Sequence, residues 1–598
     1  MAIKRKATDP VRPDPSPSKK QHVEVKRELS NGEIKFDHSR IEEKVGIVQR
    51  EFYPPEMSNE RAKQYHEGEI PRPIQVLHAM LAQTKAGREN IAVGECLVHW
   101  FKRDLRLFDN KALHLASEKA KGKNVPLVCM FVISPQDYQA HLTSPARVDF
   151  ELRTLDIMKK DLAELDIPLY VTTIEDRKDV MPHILGKCTE WGAKHLFCNI
   201  EYEVDELRRE TKLVKDGLAQ GIALEAVHDD VVVAPGELKT GAGKQYSVYS
   251  PWFRSWIKHI HEHPHLLNAF DPPTQNPPSA REKFRAIFDM STPSAPSNKS
   301  LTPEEKDCLT QLWPAGEHEA RERLDRFLSE KIGKYKDTRN FPALQSTASL
   351  SVHFSSGTLA ARTAVRSARD ANSANKLDAG NTGITCWISE IAWRDFYKHV
   401  LAHWPYVCMH KPFKYEYSDI EWEYDEDQFK LWCEGRTGFP IVDAAMRQMR
   451  SMAYMHNRCR MITASFLAKD LLIDWRMGER YFMEHLIDGD FASNNGGWGF
   501  SASTGVDPQP YFRIFNPLLQ SEKFDMEGEY IRKWVPELRG IEGKAIHAPY
   551  ERGKAKEAEK AGYPRPMVDH KQAREKALAR YKGGLGRSTA NVGGGVHN

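Results

Sequence analysis

What the chain lacks narrows its class first. No apolar run approaches the roughly 18 residues that a membrane-spanning helix requires. The N-terminus is basic but has no apolar core segment, so it does not read as a secretory signal. The 9 cysteines are scattered, and no pair has the two- or four-residue spacing of a zinc module. An odd, unpatterned set fits reduced thiols in an intracellular compartment. A large excess of one charge is missing too: 86 basic against 83 acidic residues leave +3. The first thirty residues hold eight basic and four acidic side chains, a local +4, so the remainder is near −1. The body is no histone-like polycation, and any nucleic-acid contact must come from a local basic patch.

Glycine is absent where a dinucleotide fold needs it. The turn after the first strong apolar run reads KRDLRLFDN, without the phosphate-cradling fingerprint. Gly241-Ala-Gly-Lys244 is too short for a phosphate loop.

A chain of 598 residues allows two to four domains. Residues 1–92 read as a disordered basic tail, with prolines 10, 13, 15 and 17 among Asp, Ser and Lys. Lys4-Arg5-Lys6 and Lys19-Lys20 form two basic clusters, read as a bipartite nuclear address. From 93 to 230, short apolar runs at 96–101, 127–133, 167–173, 195–199 and 222–227 alternate with helical patterns at 146–165 and 204–220. That alternation predicts an α/β domain with a parallel, Rossmann-like sheet. Residues 231–312 are rich in Pro, Gly and Ser and read as an inter-domain connector. From 313 to 565 a 3.6-residue period dominates, predicting an all-helical domain, with Pro440 suited to open a helix. Residues 566–598 read as a C-terminal tail.

Eight of the 13 tryptophans fall between 387 and 534. About half of them read as simple packing, but several stand beside polar residues that a plain core avoids. Glu390, Trp393 and Arg394 share one helix face at i, i+3 and i+4. Asn457 and Met461 are four apart, with Arg458 and Arg460 between them. Each helix thus offers a polar group beside a large soft apolar one, which is what a pocket needs to hydrogen-bond a base edge and stack on its face. In DGDFASNNGGWGF, Asp488 and Asp490 flank Gly489. The spacing lacks the later Glu of a calcium loop, so no metal is assigned, and the small residues suit backbone approach to a planar ligand.

The segments TGITCWISEIAWRDFYKHVLAHWP, GFPIVDAAMRQM, MHNRCRMITASFLAKDLLIDWR and DGDFASNNGGWGFSASTG resemble the photolyase and cryptochrome flavoproteins. VHWFKRDLRLFDNKAL at 98–113 is similar to their N-terminal signature, and the likeness runs from about 96 to 565. It implies an α/β antenna domain followed by a helical domain that holds U-shaped FAD. Asn457 with Met461, and Asn494 where the family faces flavin N5, are most similar to the class I members that split cyclobutane pyrimidine dimers. The basic tail points to a eukaryotic, fungal member, placed in the nucleus with the mitochondrion as a further address.

The resemblance implies a blue-light-driven carbon–carbon lyase that repairs DNA: excited reduced FAD passes an electron to a flipped-out dimer in double- or single-stranded DNA. The alternative reading is a cryptochrome-like light sensor, alone or combined with repair. By the same resemblance the reaction falls to Glu390, Trp393, Asn457, Met461 and Asn494. FAD contacts fall to Tyr335, Thr347, Ala348, Ser349, Leu350, Ser351, Trp387, Arg394, Arg460, Asp488, Gly489, Asp490 and Asn494. Arg339, Glu390, Trp393, Arg394, Asn457, Arg458 and Gln520 are expected at the DNA. Trp422, Trp475 and Trp498 match the photoreduction relay, Trp422 at its outer end. His141, Asp205 and Glu206 match the site of a 5,10-methenyltetrahydrofolate antenna, with deazaflavin or no antenna as alternatives. Two departures stand out: Phe500 replaces a tryptophan, and Met409 follows Cys408 where a lysine is usual. A monomer without membrane contact is expected.

Overall fold

The computed structural model describes residues 58–593 and, before them, the antiparallel two-residue strands β1 (Leu29–Ser30) and β2 (Glu33–Ile34). The proposed nuclear-address clusters lie outside the described residues. Five parallel strands follow: β3 (Cys96–Phe101), β4 (Leu127–Ile133), β5 (Leu169–Thr173), β6 (Ala193–Asn199) and β7 (Ala223–Val227), ordered β5-β4-β3-β6-β7. They are continuous apolar runs because both sheet faces are covered. Along β3, Cys96, Val98 and Trp100 enter the core beneath one helical layer, while Leu97 and Phe101 enter the other. Pro168 has no N–H to give to the ladder, so β5 begins one residue later, although the Pro168 carbonyl still accepts from Cys129 N at 2.9 Å.

Three segments differ from expectation. Residues 59–89, expected within a disordered tail, form three helices, Asn59–Glu67, Pro73–Gln83 and Lys85–Glu89. Leu77 is fully buried, and Arg88 donates to Leu224 O at 3.0 Å, so this layer shields the exposed edge strand β7. Inside the expected connector, α1 (Tyr249–Glu262) buries Trp252 and Trp256 completely. The expected C-terminal tail carries the helix His570–Gly593, whose Tyr581 is buried and donates to Ala502 O at 2.6 Å.

The second half is helical. Its central element, α2 (Thr382–His403), starts at Asn381, whose side chain accepts from the Gly383 and Ile384 N–H groups. Three more elements complete the site: α3 (Asn457–Ser465), α4 (Trp475–His485) and α5 (Phe491–Ala502). A π-helical turn, Phe466–Asp470, follows α3.

The glycine-free turn after β3 docks the two halves. Asp109, fully buried, accepts from Arg362 Nε at 2.9 Å, and Arg362 Nη2 reaches Asp229 Oδ1 at 2.6 Å. Arg106 pairs with Asp229 and donates to Gly357 O at 2.9 Å. At Gly357 (φ +74°) a Cβ would lie 2.1 Å from Arg103 O, so only glycine permits this approach. Charges that a nucleotide-binding turn lacks thus serve here as an inter-domain clasp.

Candidate active site

Four helices and one loop bring the expected site residues together in the helical half. α2 contributes Glu390, Trp393 and Arg394 from one face, all partly exposed although the helix is otherwise mostly buried. Trp393 lies flat on Tyr249 of α1, with ring centroids 3.6 Å apart and planes at 9°. Tyr249 is anchored in turn by its hydroxyl, which donates to Ser389 O at 2.7 Å. Glu390 forms an ion pair with Arg339, just after the helical turn Tyr335–Thr338. Asn457 opens α3, and Met461 stands one turn later on the same face.

The residues expected at a cofactor form three connected groups. Tyr335 and Trp387, both buried, pack around Phe327 at 5.7 and 5.1 Å. Thr347 is hydrogen-bonded to Tyr454, whose ring lies 5.4 Å from the Arg460 guanidinium. Arg460 Nη2 donates to both Asp488 oxygens, at 2.9 and 2.7 Å. Between these groups runs the Ala348–Ser351 stretch, with Ser349 held at φ 51°, a conformation uncommon for a residue with a Cβ. The third group is ionic. Arg394 pairs with Asp230, and Lys398 bridges Asp230 and Asp490 at 3.2 and 2.7 Å. Asp490 also caps α5 through Ser493 N. Burial works against the Asp490 carboxylate, but Lys398 and Arg394 hold it well below the usual carboxylate range. Gly489 contributes its carbonyl to Arg147 of the α/β domain. Asp488 and Asp490 therefore each face their own cation.

On α5, Asn494 Nδ2 donates to Glu479 O and Asn495 Nδ2 to Glu479 Oε1, both at 2.8 Å. Burial pushes the Glu479 carboxyl up to about 7. Arg458 lies over Phe524 at 4.5 Å and donates to Asn340 at 2.9 Å; Gln520 stands one turn before Phe524 on the same helix. Trp422, Trp475 and Trp498 are all buried, at 5%, 3% and 2% exposure. Trp422, expected at the outer end of a relay, is thus covered, and Tyr581 stands edge-on to it at 5.9 Å. Trp498 packs on Phe482 at 5.0 Å and on Trp432 at 6.1 Å.

Residues 97–276 match the family described as DNA photolyase, and residues 387–583 match the FAD binding domain of DNA photolyase. The chain is 58% identical to the deoxyribodipyrimidine photo-lyase of Neurospora crassa, over 98% of this chain and 99% of that one. The chain belongs to the DNA photolyase family. It is also 35% identical to the mitochondrial deoxyribodipyrimidine photo-lyase of Saccharomyces cerevisiae, over 90% of this chain and 95% of that one. Among solved structures, the class III photolyase of Agrobacterium tumefaciens has a TM-score of 0.69 at 32% identity, covering 82% of this chain and 97% of that one.

The photolyase cofactor is FAD, and the groups present fit it. Arg394 Nε and Arg458 Nε are buried with no hydrogen-bond partner among the described residues, so each can serve a ligand acceptor. A Cβ at Gly497 would meet no atom of the described residues within 4 Å, which leaves that face of α5 open to a planar group. Arg460, beside Asp488, adds a cation.

A second cluster lies beyond the carboxyl ends of β4 and β6. His141 Nδ1 stands 3.0 Å from Glu203, and its Nε2 2.8 Å from Glu206 and 3.3 Å from Asp205. Burial disfavours the imidazolium, but Glu206, Asp205 and Glu203 outweigh it and hold His141 well above the ordinary histidine range. Burial and the neighbouring Asp205 push Glu206 up to about 8. The adjoining cavity of about 90 Å³ is walled by Trp100, Phe131, Tyr138 and Val180. Cys408 of the helical half approaches the same cluster, its thiol accepting from the Val204 N–H. Four ligand atoms from His141, Glu203, Asp205 and Glu206 lie within 4.8 Å of one another, but Arg103 and Arg177 already pair with Glu203 and Asp205.

Sequence reasoning missed Tyr249, Asp230, Lys398, Glu203 and Glu479. Lys398 alone had a usable signal, standing one helical turn beyond Arg394 on the same face.

Proposed function

We propose that the chain repairs cyclobutane pyrimidine dimers in DNA with light, and that the cavity floored by Trp393 receives the flipped dimer. The observation that carries this reading is the Glu390–Trp393 face of α2, braced from behind by Tyr249. Trp393 presents a flat apolar surface, and Glu390 offers a carboxylate at its rim. A thymine dimer keeps its imide N–H groups, which such a carboxylate accepts, while the saturated rings rest on the indole. Damaged bases stack and pair poorly, so extrusion costs only a few kcal/mol; photolyases are a stated case of this principle. When bound, FAD supplies the light-driven electron and takes it back. The chain's own groups hold the partners in place. Asn457 and Met461 meet the flavin and the dimer from α3, Asn494 is oriented by Glu479, and Arg460, paired with Asp488, sets a positive charge that favours a negatively charged reduced cofactor. Arg339, Arg458 and Gln520 flank the cavity where the strand carrying the dimer would pass. Trp422, Trp475 and Trp498 deliver electrons that restore the reduced cofactor. His141, Asp205 and Glu206 hold the antenna, 5,10-methenyltetrahydrofolate or a deazaflavin, near the junction that Cys408 reaches. The protein acts as a monomer in the nucleus, with mitochondrial import a further destination.

The test is repair of an oligonucleotide carrying one thymine dimer, in blue light and in darkness. Light-dependent restoration of the thymines supports a repair enzyme; none by FAD-loaded, reduced protein favours the light-sensor reading. Within that assay, Glu390→Ala should lower the quantum yield per flavin several-fold with FAD content unchanged. A fivefold loss corresponds to about 1 kcal/mol. An unchanged yield would confine Glu390 to holding α2.

A further inference from the structure

In the free protein the two charged groups at the cavity mouth satisfy each other. Arg339 Nη1 pairs with Glu390 Oε1, and both side chains stay about one third exposed, at 30% and 31%. Arg458 stands nearby, its guanidinium lowered by burial and by the like charge of Arg339. Asn340 and Phe524 hold Arg458 in place, whereas the Arg339 head group pairs with the Glu390 carboxylate and has the Tyr335 hydroxyl beside it. An ion pair this exposed is weak and screened, so a stronger acceptor can take the arginine from it. A phosphodiester is such an acceptor, because guanidinium matches its two oxygens in a fork.

Resting on the reading that Glu390 meets the dimer, we propose that Arg339 determines specificity by changing partner, leaving Glu390 for a DNA phosphate when the strand docks. The consequence depends on what enters the cavity. A flipped dimer brings an imide N–H, and the released carboxylate regains a donor. Undamaged DNA brings the same phosphate, but its thymines stay stacked and paired. It therefore takes Arg339 away and leaves a partly exposed carboxylate without its partner, a modest cost that shows as a several-fold loss of binding. The pair discriminates by penalising the wrong partner, a repulsive element built beside the attractive one. Phosphate contacts alone carry no such information.

The experiment measures binding of FAD-loaded protein in darkness to one oligonucleotide with and without a single thymine dimer. Wild type is compared with Glu390→Gln, Arg339→Gln and the double variant, across a salt series. Glu390→Gln removes the charge that holds Arg339, so undamaged DNA should bind several-fold tighter, with the salt dependence unchanged because the Arg339–phosphate contact forms in both proteins. The double variant should bind undamaged DNA no tighter than Arg339→Gln alone. Equal tightening in the Arg339→Gln background would mean that Glu390 merely repels phosphate at a distance, and would overturn the proposal. Absence of tightening in either background would overturn it as well. Should Glu390→Gln lose FAD, Glu390→Asp, whose shorter arm withdraws the carboxylate, must show the same Arg339-dependent tightening. Failure of the underlying reading looks different: Glu390→Gln would then repair with wild-type yield per flavin, whatever its affinity for undamaged DNA.

Discussion

Trp393 and Tyr249 form a parallel ring stack, 3.6 Å between centroids, that joins the central helix α2 to a helix from a segment whose composition reads as a linker. The stack makes Tyr249 the rear wall of the cavity. Removing it frees the indole that faces the ligand.

Tyr249→Phe keeps the stack and loses the hydroxyl bond to Ser389 O, so it should cost about 1 kcal/mol of stability and leave dimer affinity near wild type. Tyr249→Ala should cost about 3–5 kcal/mol and weaken dimer binding beyond its effect on undamaged DNA. Denaturant titration with paired DNA-binding curves checks both. Wild-type dimer affinity in a folded Tyr249→Ala protein would show that Trp393 holds its place alone.

Much of the fold is legible in the residues, for identifiable reasons. The strands of the α/β domain announce themselves because both faces are buried; β5 starts two residues late because of the proline at 168, β6 two residues early at Ala193, and β7 one residue late at Ala223. The helices bearing Glu390 and Asn457 are likewise readable from spacing, whereas that bearing Asn494 is masked by its glycines. Tyr249 is not, although Trp252, Trp256 and Ile260 mark a helical stripe, because the surrounding Pro, Gly and Ser outweigh it in composition. Residues 59–89 mislead for a related reason: their stripe of Ala62, Tyr65, Ile74 and Leu77 is sparse, and it finds its partner on the sheet domain and beside α2. The ion pairs Arg339–Glu390, Arg394–Asp230 and Lys398–Asp490 join positions 51 to 164 residues apart, a distance over which local pattern says nothing.

Trp422 makes a sharper demand on the relay. At 5% exposure, with Tyr581 against its edge, it is a covered end rather than a surface one. Trp422→Phe should block photoreduction of oxidised FAD by external thiols and leave repair by chemically reduced enzyme nearly intact. Flash photolysis with and without prior reduction separates the two, and undiminished photoreduction would remove Trp422 from the chain.

The His141 cluster predicts how stability depends on pH. His141 and Glu206 both hold protons in the folded state at pH values where the unfolded chain has lost them, His141 well above the ordinary range and Glu206 up to about 8. The folded state therefore binds more protons, and its stability falls as pH rises from about 5 through 8. Below that window Glu203, held down at about 2 against burial by Arg103 and His141, gives the opposite sign. The wild-type slope also carries Lys469, lowered by burial to about 7, and buried histidines such as His99 and His399, which give the opposite sign, so the test is a difference between proteins. Between pH 6 and 9 the Tm of Glu206→Gln should fall less, or rise more, than that of the wild type; identical slopes would reverse the assignment of the protons.

Arg362 tests whether the clasp between the two halves contributes to stability as its burial implies. Its guanidinium is 5% exposed and serves Asp109 and Asp229, themselves 0% and 2% exposed. A buried pair of this kind adds little over an apolar substitute, since desolvating the charges offsets most of their attraction. Removing one member is different, because the carboxylates lose their closest cation and stay buried. Arg106 still serves Asp229, and Asp109 keeps Arg366 at 3.7 Å besides the hydrogen bonds from Thr363 and the Phe270 N–H. Arg362→Met, which fills similar volume, should therefore destabilise the protein by about 2–3 kcal/mol at neutral pH, less than the loss of a sole partner would cost. Replacing Asp109 by Asn as well should recover part of the loss, since an amide is cheaper to bury than an unpaired carboxylate. Denaturant titrations of the single and double variants at pH 5 and 7 decide the matter: a cost below about 1 kcal/mol for Arg362→Met at both pH values would mean that water reaches the clasp and screens it.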